Sequence, residues 1–225
     1  MNLSSIVPWS RGFDEYRAML ALSNADLQGC VLGCGDGPAS FNAEATAMGA
    51  RVVSADPIYA YSAAEIGGRV RETFATLVAQ AREQAHRFVW DRFADVDALG
   101  QARLAAMRRF LADYDGGKHV GRYVVGALPA LPFADASFDL ALCSHLLFLY
   151  SDHLPLDAHI AALRELLRVA NEVRVFPLLT LAGEPSPHLA PVRDALRREG
   201  HVIQERRVPY EFQRGSGTML SLRRG

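Results

Sequence analysis

Cys30-Val31-Leu32-Gly33-Cys34-Gly35-Asp36-Gly37-Pro38 is the stretch that decides how the chain reads. It has the form of a buried strand ending, a glycine turn from Gly33, and a helix starting at Pro38-Ala39-Ser40-Phe41. Glycine has no Cβ and tolerates positive φ, which suits backbone that must approach a ligand closely. The first turn of the following helix leaves N–H groups unpaired. A second strand, Arg51-Val52-Val53-Ser54-Ala55, ends in Asp56. Nucleotide-binding folds place an acid about 20 residues beyond the glycine turn, where it grips ribose hydroxyls. The two strand ends are therefore expected to form a nucleoside site.

The rest of the chain extends this pattern. Apolar positions at Phe13, Tyr16, Met19, Leu20 and Leu22 suit a helix over 13–23. The first strand is expected at about 28–32 and the first helix after it at about 38–48, with proline early and Gly49 as its stop. From Tyr59 to about Tyr114 no strand is evident. Ile66, Val70, Phe74, Leu77, Val78, Ala81, Ala85 and Phe88 recur at helical spacing, and so do Leu104, Met107, Phe110 and Leu111. A break is expected at Ala94–Leu99, around Gly100, and a stop at Asp115-Gly116-Gly117. A parallel crossover normally needs one helix. The excess over 59–114 is read as a helical insertion in a single domain spanning 1–225, either packing or dimer surface, or a lid over a substrate pocket.

Further strands are expected at Arg122–Gly126, Phe138–Cys143 and Glu172–Leu179, with helices over 156–169 and 189–198. Residues 201–212 and 218–223 close the chain as two strands around Arg214-Gly215-Ser216-Gly217. Strands alternating with helices predict a doubly wound, mostly parallel α/β sheet of seven strands, the last one antiparallel. Ligands of such sheets sit at the carboxyl ends of the strands.

Composition narrows the function classes. The 225 residues are half hydrophobic, with 24 Lys and Arg against 25 Asp and Glu. That balance gives no electrostatic case for nucleic acid or an acidic membrane surface. Cys30, Cys34 and Cys143 show neither zinc spacing nor a CxxC pair, so no metal site is expected and a reduced, cytoplasmic setting is. Residues 1–8 lack a basic region followed by an apolar core, so no signal peptide is expected. No apolar run is long enough to span a membrane.

With these residues placed, the chain resembles the class I S-adenosylmethionine-dependent methyltransferases of the small-molecule type. Three features carry the likeness: Val31-Leu32-Gly33-Cys34-Gly35-Asp36-Gly37, Asp56 after the second strand, and Leu131-Pro132-Phe133 followed by Ala134-Asp135-Ala136-Ser137-Phe138-Asp139-Leu140. The resemblance implies a Rossmann-like methyltransferase fold and S-adenosylmethionine as cofactor. It implies that Gly33, Cys34, Gly35 and Asp36 lie by the cofactor's amino-acid end, that Asp56 accepts from both ribose hydroxyls, and that Pro57 sits beside the adenine. Leu128 and the Ser144–His145 region fall near the adenine and the methionine part. Val31 and Ala127 depart from the family pattern, which often has acids at both places. They motivate a second reading, a catalytically lapsed cofactor-binding or regulatory protein.

Competing motifs fit less well. A dinucleotide fingerprint wants G-x-G-x-x-G, whereas Gly33, Gly35 and Gly37 are spaced by two. Asp56-Pro57-Ile58-Tyr59 is similar to the tetrapeptide of amino-methylating DNA enzymes, but that motif follows the fourth strand, where it meets the flipped base. His145 is a candidate general base, set against the favoured reading of a histidine that only packs or hydrogen-bonds beside the cofactor. Trp9, Arg11, Tyr16, Tyr150, Gln213 and Arg214 are the candidate substrate-binding residues. The expected partner is a small molecule, with neither nucleic acid nor membrane.

Overall fold

The computed structural model describes residues 9–225; the reading of residues 1–8 lies outside them. One seven-stranded sheet runs through the molecule in the order β3-β2-β1-β4-β5-β7-β6. Its strands are β1 (Cys30–Cys34), β2 (Arg51–Ala55), β3 (Tyr123–Val124), β4 (Phe138–Ser144), β5 (Ala170–Phe176), β6 (Val202–Arg207) and β7 (Thr218–Arg223). Pairings from β3 through β5 are parallel, whereas β7 runs antiparallel to both β5 and β6. This is the doubly wound sheet with one reversed strand that the alternation of elements predicts.

Helices cover both faces, as parallel sheets require. They are α1 (Phe13–Met19), α2 (Phe41–Ala47), α3 (Ala63–Glu83), α4 (Val96–His119), α5 (Leu156–Val169) and α6 (Leu189–Arg198). One core lies between the sheet and the α5–α6 side, around Leu32, Val173, Leu163 and Leu220. The other lies under α1 and α2, around Tyr16, Phe41, Val31 and Leu142. Val31 is fully buried there, so the position that differs from the family pattern is occupied by a core side chain.

Several boundaries differ from the sequence reading. The first strand runs to Cys34, so Gly33 lies within it and the turn begins two residues later, at Gly35. The helix after it starts at Phe41 rather than Pro38, because residues 36–39 form a separate turn closed by Ala39 N–H to Asp36 O. The first helix stops at Met19, and the fifth strand occupies 170–176 instead of 172–179.

The segment between β2 and β3 holds the two longest helices. A capping box, Ser62 with Glu65, starts α3, and the Asp95 side chain caps Ala98 N–H at the start of α4. The break between them falls at residues 84–95, so Gly100 is helical. Gly116 and Gly117 do not stop α4 either, since the helix continues to His119. At Gly117 a Cβ would lie 2.5 Å from the Tyr123 ring. The glycine gives room for β3 to fold back against the helix that precedes it. Asp113 then clasps Arg122 through two hydrogen bonds of 2.8 and 2.6 Å. Tyr59, Phe110, Tyr114 and Tyr123 form a separate aromatic cluster, and Tyr114 Oη donates to Tyr59 O at 3.0 Å. This fastens α4 to the chain just past Asp56.

Candidate functional site

The carboxyl ends of β1 and β2 meet as the sequence predicts. Gly35 N–H donates to Ala55 O at 2.9 Å, joining the first residue after β1 to the last of β2. Gly35 has φ +71°, and a Cβ there would come 2.5 Å from Leu146 Cδ2. Only glycine meets both demands without strain. Two residues on, Gly37 N–H donates to Asp56 Oδ2 at 2.8 Å, while Ile58 N–H donates to Asp56 Oδ1 at 2.8 Å. Each carboxylate oxygen thereby uses one acceptor site on backbone and keeps a second. Burial raises the Asp56 pKa, and the two backbone donors oppose that rise.

Asp36 sits over Gly33, whose missing Cβ leaves the space that the carboxyl occupies. Tyr16 Oη donates to Asp36 Oδ1 at 2.9 Å and Ser54 Oγ to Oδ2 at 2.7 Å. Burial outweighs these hydrogen bonds and pushes the Asp36 pKa up to about 7. A charge here is costly unless a positive ligand group faces it.

A cavity of about 490 Å³ opens against these strand ends. Cys34, Gly35, Asp36, Asp56, Pro57, Leu128, Ser144 and His145, all read from the sequence as site residues, line it, together with Trp9, Arg11 and Tyr16. Gly33 does not line it; it supports Asp36 from within β1. A second, smaller cavity of about 100 Å³ adjoins the first and shares Trp9, Arg11 and His145 with it. Tyr150 and Gln213 line this one only. Arg214 lines neither cavity, its Nε donating instead to His86 O at 3.0 Å. Of the residues read as substrate-binding, Tyr16 belongs to the larger cavity and Tyr150 and Gln213 to the smaller.

His145 follows β4 directly, with φ +53°. Its N–H donates to Phe176 O at 2.6 Å, and its Nδ1 lies 2.8 Å from Ser144 Oγ. Burial first, and then the charges of Arg11 and Arg103, pull its pKa well below the ordinary histidine value. The imidazole is therefore neutral at neutral pH.

Arg87, Phe88, Phe212 and Gln213 wall the smaller cavity, and the two segments that carry them pair with each other. Val89 N–H donates to Phe212 O at 2.8 Å, Arg214 N–H to Arg87 O at 3.0 Å, and the Phe88 and Phe212 rings stack at 4.6 Å. Leu77, Leu99 and Arg103 from α3 and α4 complete the wall, so the long helices shape a pocket. Sequence reasoning missed Arg103 in this wall and Glu15 behind it, which form a buried ion pair. One signal was present: Arg103 shares a helical face with Leu99, Met107 and Phe110, a pattern in which a lone charge needs a partner. Cys34 and Cys143 are neighbours across β1 and β4, both buried with raised thiol pKa values. Among the described residues no group of His, Cys, Asp and Glu is arranged to hold a metal ion.

A family model described as a methyltransferase domain matches residues 101–172, from within α4 to β5. An uncharacterized protein of Methanocaldococcus jannaschii is 31% identical over 225 residues, covering all of this chain and 99% of its own. The chain belongs to the class I S-adenosylmethionine-dependent methyltransferases. Solved structures agree on the fold. The PH0226 protein of Pyrococcus horikoshii superposes with a TM-score of 0.52 at 12% identity, covering 95% of this chain and 89% of its own. The O-methyltransferase NcsB1 of neocarzinostatin biosynthesis, in complex with S-adenosylhomocysteine and 1,4-dihydroxy-2-naphthoic acid, gives 0.50 at 14% identity, covering 94% of this chain and 54% of its own. The cofactor of this class is S-adenosylmethionine. This methyltransferase offers such a molecule a glycine cradle, one acid at each of two strand ends, and a cavity of the size that small-molecule sites occupy.

Proposed function

We propose that the chain transfers a methyl group from S-adenosylmethionine to a small-molecule nucleophile. The observation that carries this reading is the pair of adjoining cavities, which share His145 at their junction. S-adenosylmethionine, when bound, supplies a methyl group already activated by a positive sulfonium. Asp56 would hold the ribose through the acceptor sites its backbone bonds leave free, and Asp36 would face the amino-acid end. Gly35 lets backbone come close, and Pro57 and Leu128 give apolar contact for the base.

The smaller cavity takes the acceptor. Its aromatic walls hold the nucleophile in place, and orientation alone supplies a large part of the rate in such displacements. His145, lining both cavities, would take the proton of an acceptor that must lose one. Three free cysteines support a reduced, cytoplasmic setting. Among the described residues no helix is long and apolar enough to cross a membrane. The near-balanced charge supports a small-molecule partner over nucleic acid.

Calorimetry with S-adenosylmethionine and S-adenosylhomocysteine tests the donor site, and absence of binding to both would sink the reading. Release of S-adenosylhomocysteine across an acceptor panel tests transfer. Tight binding without any turnover would favour the lapsed alternative that Val31 and Ala127 suggest.

A further inference from the structure

The smaller cavity has an unbalanced polar lining. Arg11, Arg87 and Arg103 line it, and among the described residues no aspartate or glutamate does. Arg103 is neutralised from behind by Glu15, whose Oε1 accepts from it at 2.9 Å and also from Tyr210 Oη at 2.7 Å. Burial works against the Arg103 charge, but Glu15 outweighs it and holds its pKa above the ordinary value. Arg11 has no such partner. Among the described residues it forms no ion pair, and its one side-chain hydrogen bond goes to Trp9 O at 3.2 Å. Arg87 donates to Gln84 Oε1 at 3.1 Å and Leu181 O at 3.2 Å, both neutral acceptors.

The unpaired atoms point the same way. Trp9 Nε1, Arg11 Nε and Arg103 Nε are buried without a hydrogen-bond partner among the described residues, and all three residues line this cavity. Each is an N–H donor with no acceptor capacity. A buried donor left unmade carries a cost that an incoming acceptor removes. Burial and the charge of Arg103 press the Arg11 pKa down, only partly opposed by Tyr210 and Glu15, so the site strains against its own positive charge. Around these donors the walls are apolar: Phe88, Phe212, Leu77 and Leu149. The space, about 100 Å³, suits one ring at most.

We infer that the methyl acceptor is an aromatic carboxylic acid, bound as its carboxylate by Arg11 and Arg87. The planar guanidinium fork matches a carboxylate edge, and stacking aromatics match a flat body. The anion balances the cations that no protein acid neutralises. This assignment rests on the methyl-transfer reading above and names the substrate class of that same site.

The test is calorimetry on the full chain saturated with S-adenosylhomocysteine. The probes are a panel of benzoic and hydroxybenzoic acids, each matched by its primary amide, by the arylmethylamine and by the aryl phosphate. The best acid should bind at least tenfold more tightly than its own amide and than the amine. Arg87→Gln lines the acceptor cavity only and should lose at least tenfold in acid affinity while keeping its affinity for S-adenosylhomocysteine. Arg11→Gln should lose acid affinity too, with partial recovery in Arg11→Lys. Amides or amines that bind as well as the acids would overturn the inference, as would a panel in which no acid binds. Tighter binding of the phosphates would replace carboxylate with phosphate, and loss of cofactor but not acid affinity in Arg11→Gln would remove Arg11 from the acceptor site. Failure of S-adenosylhomocysteine to bind the wild type is a separate result, and it would strike the methyl-transfer reading itself.

Discussion

The Asp56 carboxylate accepts the Gly37 amide at 2.8 Å, so the end of β2 holds the shape of the turn that follows β1. The acid is thus both a ligand-facing group and a brace for the glycine cradle. Asp56→Ala removes both roles. Hydrogen bonds to a charged group contribute roughly 1.5–3 kcal/mol, so S-adenosylhomocysteine affinity should fall by about one to two orders of magnitude. Calorimetry on the variant checks this, and wild-type affinity would refute the placement of the ribose.

Gly35→Ala tests the turn. Positive φ costs a β-carbon-bearing residue about 1 kcal/mol, and the Leu146 contact at 2.5 Å adds overpacking on top. The expected outcome is a lower melting temperature together with weaker cofactor binding. Gly49→Ala, also at positive φ but with nothing within 4 Å of its Cβ, should cost stability without touching cofactor affinity.

Asp36 gives the fold a pH signature. Its native pKa of about 7 is above the unfolded value of 3.8, so the native state holds the extra proton between those limits. Stability from this group is full below the unfolded pKa and is lost as pH rises toward 7. The swing is on the order of 4 kcal/mol at most, taking 1.36 kcal/mol per unit. Urea unfolding at several pH values should show Asp36→Asn gaining on wild type as pH rises from 4 to 7, then running parallel to it.

His145→Asn keeps a residue that accepts positive φ. With an acceptor in hand, it should bind S-adenosylhomocysteine as wild type does while turnover drops by 10²–10⁴-fold, the range general-base loss produces. Because the native imidazole titrates well below ordinary histidine, wild-type turnover should stay level as pH falls through 6.5. A sharp fall at that pH would argue against His145 as the base.

Breaking the buried Glu15–Arg103 pair is expected to be costly. Arg103→Met leaves Glu15 charged and buried, with Tyr210 Oη as a remaining donor, and such losses run to about 3–5 kcal/mol. Chemical denaturation measures it. A change under 1 kcal/mol would show that the pair is not closed off from water.

Much of this was legible beforehand, for local reasons. The bounds of β2, α5 and α6 follow directly from short apolar runs and helical periodicity with a terminating Gly200. The glycine turn and Asp56 were legible because their spacing is fixed by a single βαβ unit. The start of α2 was not, since Asp36 is drawn aside by Tyr16 and Ser54, two partners distant in sequence. Gly116 and Gly117 read as a stop by propensity, yet packing against Tyr123 and Arg122 kept them helical. The arginine-rich cavity was least legible. Arg11, Arg87 and Arg103 are unremarkable singly, and only the tertiary fold shows that Arg103 is ion-paired while, among the described residues, the other two meet no acid.

The bridge between residues 88–89 and 212–213 has a consequence for how the molecule comes into being. The glycine turn and Asp56 leave the ribosome close together. The wall of the acceptor pocket waits for residues much later in the chain, and contacts across such a span close late because of the chain entropy they must overcome. A nascent chain can shape its donor cradle while its acceptor side is still open, so the pocket that selects the substrate is the last part of the site to exist.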